Sequence, residues 1–224
     1  MAEPIDDYVV AALTAHPDAT TVSTGGEVAP GATVTVAQAL QIFDAQLGSR
    51  HLDLAARALR AEGKQVFLAN YSFTSLAFHL PKALAPAVVE VTPDSSVSPG
   101  DYFPEYWLSR WLATQGEPST VYAFRKVGVQ PLKTAYEALV RHLDIDTIIL
   151  VDGGTDSLMR GDEVDLGTPH EDATSLVAVN ELRGPKTLLA CLGFGIDRFH
   201  GICHANYLEA TADLARSGAY LGAF

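Results

Sequence analysis

Five short apolar runs restrict this chain more than any other feature of its sequence. They are Gln65–Ala69, Ala87–Val91, Thr120–Phe124, Thr147–Val151 and Lys186–Leu192. Each is five to seven residues of mostly Val, Ile, Leu, Ala or Phe, too short for a helix and without polar alternation, as expected of strands buried on both faces. Helical periodicity follows the last four runs, over about 103–115, 131–142, 170–183 and 204–217. Strands alternating with helices predict an α/β fold: a three-layer, doubly wound, Rossmann-like arrangement with a mainly parallel sheet.

The first sixty residues follow another pattern. Residues 3–16 read as an amphipathic helix, and Pro17 to Gly31 is rich in turn residues. Two further helices are expected, the first with Val36, Ala39, Leu40 and Phe43 on one side, the second running to Glu62 and stopped by Gly63. The expected organisation is therefore an α-helical segment over 1–60 and an α/β domain over 61–224.

Charge excludes some partners. With 27 acidic and 15 basic residues the net charge is −12, so the surface repels phosphate backbones and anionic lipid heads. No nucleic acid and no membrane is expected among the partners; a small-molecule ligand is. Two cysteines, Cys191 and Cys203, do not make a disulfide scaffold. The first residues lack a basic, then apolar, leader pattern, and no apolar run nears the ~20 residues of a membrane span. A cytoplasmic protein is expected.

In an open parallel sheet, ligands sit beyond the carboxyl ends of the strands. After Val151 the chain reads Asp152-Gly153-Gly154-Thr155-Asp156. The glycines allow close backbone approach and can offer an N–H nest, while the two aspartates repel a bare phosphate unless a cation intervenes. Asp152 and Asp156 are the candidate ligands for Mg²⁺ or another divalent cation, or for sugar hydroxyls, and Gly153, Gly154 and Thr155 complete the candidate contact set. The bland alternative is a turn whose aspartates cap helices. Gly167-Thr168-Pro169-His170-Glu171-Asp172 is largely explained by helix initiation, with Asp172 and Ser175 able to face the crevice.

After Leu192, Asp197, His200 and His204 form a D-x2-H-x3-H series. On a continuous helix this spacing would put both imidazoles on one face, suited to a metal or to proton transfer, although Gly201 weakens such a helix. These three are the candidate catalytic residues. Cys203 is more simply a small packed residue. Asn70 and Ser72, closing the first apolar run, are further candidate ligand contacts and equally good helix caps. Arg125 and Lys126 are cations at a strand end. Trp107 and Trp111, four residues apart, are expected to pack against the sheet.

Several of these segments resemble a known family. Val151–Glu163, Gly167–Asp172, Gly193–Asp197, His200–His204, Ala69–Thr74 and Tyr102–Glu105 are similar to the domain family of unknown function numbered 1152, from about Ala58 onward. The resemblance implies a Rossmann-like fold and a small-molecule site, with no established reaction. Members usually open with a strand and a G-G-G-x-D loop that residues 1–57 do not reproduce, and their pattern continues past Phe224. The site is accordingly expected to lack one loop. Val36 to Arg60 is in turn similar to a helix pair of thiamine-diphosphate 2-oxoacid dehydrogenase α chains, but the G-x-x-H-E and G-D-G…N motifs of such enzymes are missing. The expected function is a small-molecule enzyme acting on a nucleotide, nucleoside or phosphorylated metabolite with a divalent cation. The alternatives are a non-catalytic ligand-binding or sensor domain, or an inactive partial chain.

Overall fold

The computed structural model describes residues 55–76, 82–97, 102–165, 167, 169–194 and 201–223. The chain divides into two units, Met1–Ala55 and Ala56–Phe224, and the second carries the elements below, save Ala55 at the start of the first helix. The expected helices before residue 55 and the thiamine-enzyme resemblance over 36–54 lie outside the described residues.

A short helical stretch, α1 (55–61 among the described residues), ends at Gly63, whose φ of +79° is the left-handed conformation the stop position requires. Four further helices follow: α2 (Pro104–Thr114), α3 (Val129–Leu143), α4 (Pro169–Asn180) and α5 (His204–Arg216). All four lie where the periodicity placed them. Proline at the first position starts α2 and α4, where a missing N–H costs nothing. Helix α3 closes on Asp144 in the left-handed region, with Arg141 and His142 facing the negative end of the helix dipole.

The strands are β1 (Leu68–Tyr71), β2 (Lys82–Ala85), β3 (Val88–Val91), β4 (Val121–Phe124), β5 (Thr147–Asp152) and β6 (Lys186–Cys191). They form a mixed four-stranded sheet in the order β1-β4-β3-β2 and a separate parallel pair, β5-β6. The α/β class stands, but the single mainly parallel sheet does not describe these residues. Strand β3 is antiparallel to both β2 and β4. The cause is local: Pro86-Ala87 folds β2 back onto β3 as a two-residue turn, an element the apolar runs did not reveal. Strand β1 also begins three residues later than its apolar run, so Asn70 is paired within the strand, opposite Ala123.

Leu132, Ala135, Tyr136 and Leu139 recur at i, i+3, i+4 and i+7 on α3 and are buried. They pack with Val88, Tyr122 and Phe124 of the mixed sheet and with Ala178 and Val179 of α4, and Ile148 and Leu150 of β5 join the same cluster. A second cluster, Leu76, Val89, Val91, Phe103 and Ala123, fills the other face of the mixed sheet. On α2 the buried face is Glu105, Ser109 and Leu112. The tryptophans therefore do not pack on the sheet: Trp107 is 56% exposed and Trp111 41%. Their rings lie under arginines instead, Arg110 at 5.7 Å from Trp107 and Arg57 at 5.4 Å from Trp111.

Replacing fully buried Leu132 by Ala leaves a cavity at the junction of sheet and helices. Leu132→Ala should lower unfolding free energy by about 2–5 kcal/mol, read as a shift of the urea midpoint at unchanged slope.

Candidate functional site

Strands β5 and β6 run parallel with Asp152 opposite Cys191, so the last residue of each lies at the same edge. The Asp152 carboxylate turns back on its own loop. Its Oδ1 accepts the Gly154 N–H at 2.8 Å and its Oδ2 the Ser157 N–H at 3.1 Å. The nest expected from Gly153-Gly154 is thus half spent, because the Gly154 N–H serves Asp152. Gly153 remains exposed, and a Cβ placed there meets nothing within 4 Å, so its open side is free for close approach.

Thr155 is buried and leads into a 3₁₀ turn, Asp156–Leu158, that carries Asp156 inward. Gly167 is pressed against that side chain: a Cβ on it would collide with Asp156 Oδ2 and stand 2.8 Å from Asp156 Cβ. With φ at +65°, no other residue fits there without moving Asp156. The first turn of α4 brings a third carboxylate, Asp172. Asp152, Asp156 and Asp172 each offer an oxygen, and the three lie within 4.8 Å of one another.

Three carboxylates at that spacing cannot all be ionised cheaply. Each ionised pair repels by on the order of 3 kcal/mol at an effective dielectric near 20. Burial, then the charges of Asp152, Asp156 and Glu171, push Asp172 up to about 7. Asp152 is also raised, mainly by burial, against the hydrogen bonds from Ser157 and Gly154. The thiol of Cys191, 3.4 Å from Ser157 Oγ, is pushed up by burial first and then by its acidic neighbours. It is a packed thiol, unsuited to nucleophilic work. The cluster can hold a shared proton or a hard divalent cation, and Asp152, Asp156 and Asp172 are the residues placed to do so.

Beside it, Tyr71 at the end of β1 meets His170, which precedes Asp172 by two residues. Tyr71 Oη donates to Val127 O at 2.8 Å, accepts the Val127 N–H at 3.0 Å and lies 3.4 Å from His170 Nε2. With the phenol proton committed to Val127, His170 is the donor in that contact. Burial raises the Tyr71 pKa.

Asn70, paired in β1, donates from Nδ2 to Glu105 Oε1 at 2.6 Å. Ser72 is buried and caps the next turn, its Oγ accepting the Thr74 N–H at 3.1 Å. Arg125 and Lys126 follow β4, with Arg125 Nε buried and without a hydrogen-bond partner among the described residues, and Lys126 Nζ 4.6 Å from the centre of the Phe73 ring.

The histidine series is different. Asp197 and His200 lie outside the described residues, as does Thr168, the expected cap of α4. His204 opens α5 and is exposed, its ring 5.1 Å from that of Phe194. Gly201 is left-handed at φ +85° and Cys203 is extended, so the described residues 201–203 are not helical and α5 begins only at His204. Tyr71, His170 and Glu105 are residues of the candidate site that spacing did not single out, and Asp172 was expected only as able to face the crevice. Only the acidic first turn of α4 signalled Asp172.

Comparison with known proteins comes down to one match. The family model described as "Protein of unknown function (DUF1152)" matches residues 82–224, and the chain belongs to that family. No curated protein and no solved structure matches it. No helix among the described residues is long and apolar enough to cross a membrane.

The raised carboxylate fixes a sign for the metal-free protein. Asp172 binds its proton more tightly folded than unfolded, so its contribution is full below the unfolded carboxylate range and is lost as pH rises through about 7. Measured in EDTA, Asp172→Asn should melt about 2–4 °C above wild type at pH 8, with the gap closing towards pH 5. Equal melting at both pH values would refute the crowding of the three carboxylates.

Proposed function

We propose that the protein is a small-molecule enzyme that binds a divalent cation, Mg²⁺ or a relative, through Asp152, Asp156 and Asp172, and acts on a nucleotide, nucleoside or phosphorylated metabolite. The observation that carries this reading is the convergence of three carboxylates from three different elements, with a glycine open to solvent beside them. Hard cations prefer such oxygen sets, and a phosphate-bearing ligand approaches this acidic edge only with the cation between. Without a cation the cluster must keep a proton, which is a cost that metal binding removes.

A Rossmann-like three-layer arrangement belongs to the same reading, supported by the parallel pairs β1-β4 and β5-β6 and by the helices that separate β3 from β4, β4 from β5 and β5 from β6. Proton transfer falls to a histidine of the 200–204 segment, of which His204 is the described one, exposed at the start of α5. A cytoplasmic setting is supported by two unpaired thiols, and the absence of nucleic-acid partners by the net charge of −12.

Calorimetric titration with Mn²⁺ and Mg²⁺ tests the cation site. Wild type should bind one ion, Asp152→Asn should lose binding while melting within a few degrees of wild type, and unchanged affinity in that variant would sink the assignment. Gly167→Ala, which drives a methyl into Asp156, should weaken the ion by about tenfold, or 1.4 kcal/mol. Incubating nucleotides, nucleosides and sugar phosphates with the metal-loaded protein, followed by chromatography, separates enzyme from sensor. A ligand that binds and emerges unchanged identifies the non-catalytic alternative.

A further inference from the structure

Glu105 is 2% exposed, one residue into α2, and only half satisfied. Its Oε1 accepts the Asn70 amide, but its Oε2 is buried with no hydrogen-bond partner among the described residues. A buried carboxylate oxygen left unpaired costs about 1–3 kcal/mol or more, and an apolar or amide side chain of the same size would avoid that. The first turn of α2 offsets part of the charge through the helix dipole but supplies no bond to Oε2. Folding alone gives no reason for a carboxylate here. What a carboxylate does, and a glutamine does not, is fix its neighbour: it can only accept, so Asn70 must turn its NH₂ inward.

We infer that Asn70 and Glu105 form a hydroxyl-recognition subsite at the carboxyl end of β1, in which the Asn70 carbonyl oxygen accepts from a sugar or polyol hydroxyl of the ligand and Glu105 is the positioning residue. Asn70 is exposed, and with Nδ2 committed to Glu105 the outward end of its amide is an acceptor, so the ligand brings a donor. Charge selects the donor. Ser72 N–H donates to Phe124 O, which sets the start of the Arg125-Lys126 loop beside this strand end. Those cations repel an ammonium and favour a ligand that is anionic elsewhere. The donor is therefore a neutral hydroxyl, on a molecule such as a sugar phosphate or nucleotide. Exposed aromatic residues stand three positions away along the chain from each member of the pair: Phe73 is 54% exposed beneath Lys126, and Tyr102, whose carbonyl takes the Thr74 hydroxyl, is 66% exposed. Tyr71, next to Asn70, reaches His170 at the start of α4, which ties this strand end to the helix bearing Asp172.

The inference rests on the small-molecule reading above and deepens it by naming what the ligand must carry. The test is calorimetry on the full chain with adenosine 5′-monophosphate and ribose 5-phosphate against their deoxy counterparts, each with Mg²⁺ and again in EDTA. Wild type should prefer one hydroxylated probe by about tenfold. Asn70→Ala should lose that preference, and Glu105→Gln should lose it while melting at or above the wild-type temperature, because it relieves a buried charge. No preference in wild type, a preference retained in either variant, or a fall of more than about 5 °C in Glu105→Gln with its preference intact would each overturn the inference. A preference that survives EDTA upholds this subsite while removing the cation reading. Cation binding lost in Asp152→Asn, with no hydroxyl preference anywhere, does the reverse.

Discussion

The burial of one face of α3 is the interaction on which the rest of the unit depends. Leu132, Ala135, Tyr136 and Leu139 touch the mixed sheet on one side and α4 on the other, and the cluster extends to β5. That matters electrostatically as well as hydrophobically. Helix α4 carries Asp172 towards Asp152 and Asp156, a placement that charge repulsion opposes. Apolar contacts at Ala178 and Val179, and the bond from Ser175 to the buried Tyr136 hydroxyl, hold the helix in position against it. The strain in the carboxylate cluster is thus carried by packing two turns away along the same helix.

Strand direction explains why polar groups collect where they do. In β1-β4 and in β5-β6 the parallel pairing forces both carboxyl ends to one edge. Asn70 and Tyr71 finish one pair, and Asp152 and Cys191 the other. The hairpin β2-β3 contributes no polar residue at such an edge and serves to widen the sheet that α3 covers. Arg125 stands just past β4, its N–H donating to Ala87 O in the hairpin turn, so the turn also anchors the strand-end loop.

Much of this was legible in the sequence. The apolar runs located four of the six strands to within a residue or two, and the 3.6-residue periodicity located α2 to α5, because burial on both faces and on one face leave different signatures. Asp152 and Asp156 stood out through the glycines between them. Other features were silent for definite reasons. Lys82–Ala85 is short and Ala-rich, and pairs because Pro86-Ala87 turns the chain, which no periodicity records. Glu105 was not singled out and Asp172 was read only as able to face the crevice, because both sit in first turns, where the helix dipole already favours an acidic residue. Burial, which no local pattern encodes, separates them from an ordinary cap. The tryptophans misled in the opposite sense, since size alone argued for the core while Ser109 and Leu112 occupied it.

Those two indoles have an optical consequence. They are the only ones in the chain, both on α2, both in contact with water and each beneath a guanidinium. Native emission should already be close to that of a hydrated indole, so global unfolding will move the spectrum little. The same pair is well placed to report, through quenching or recovery, on anything that settles over the outer surface of α2.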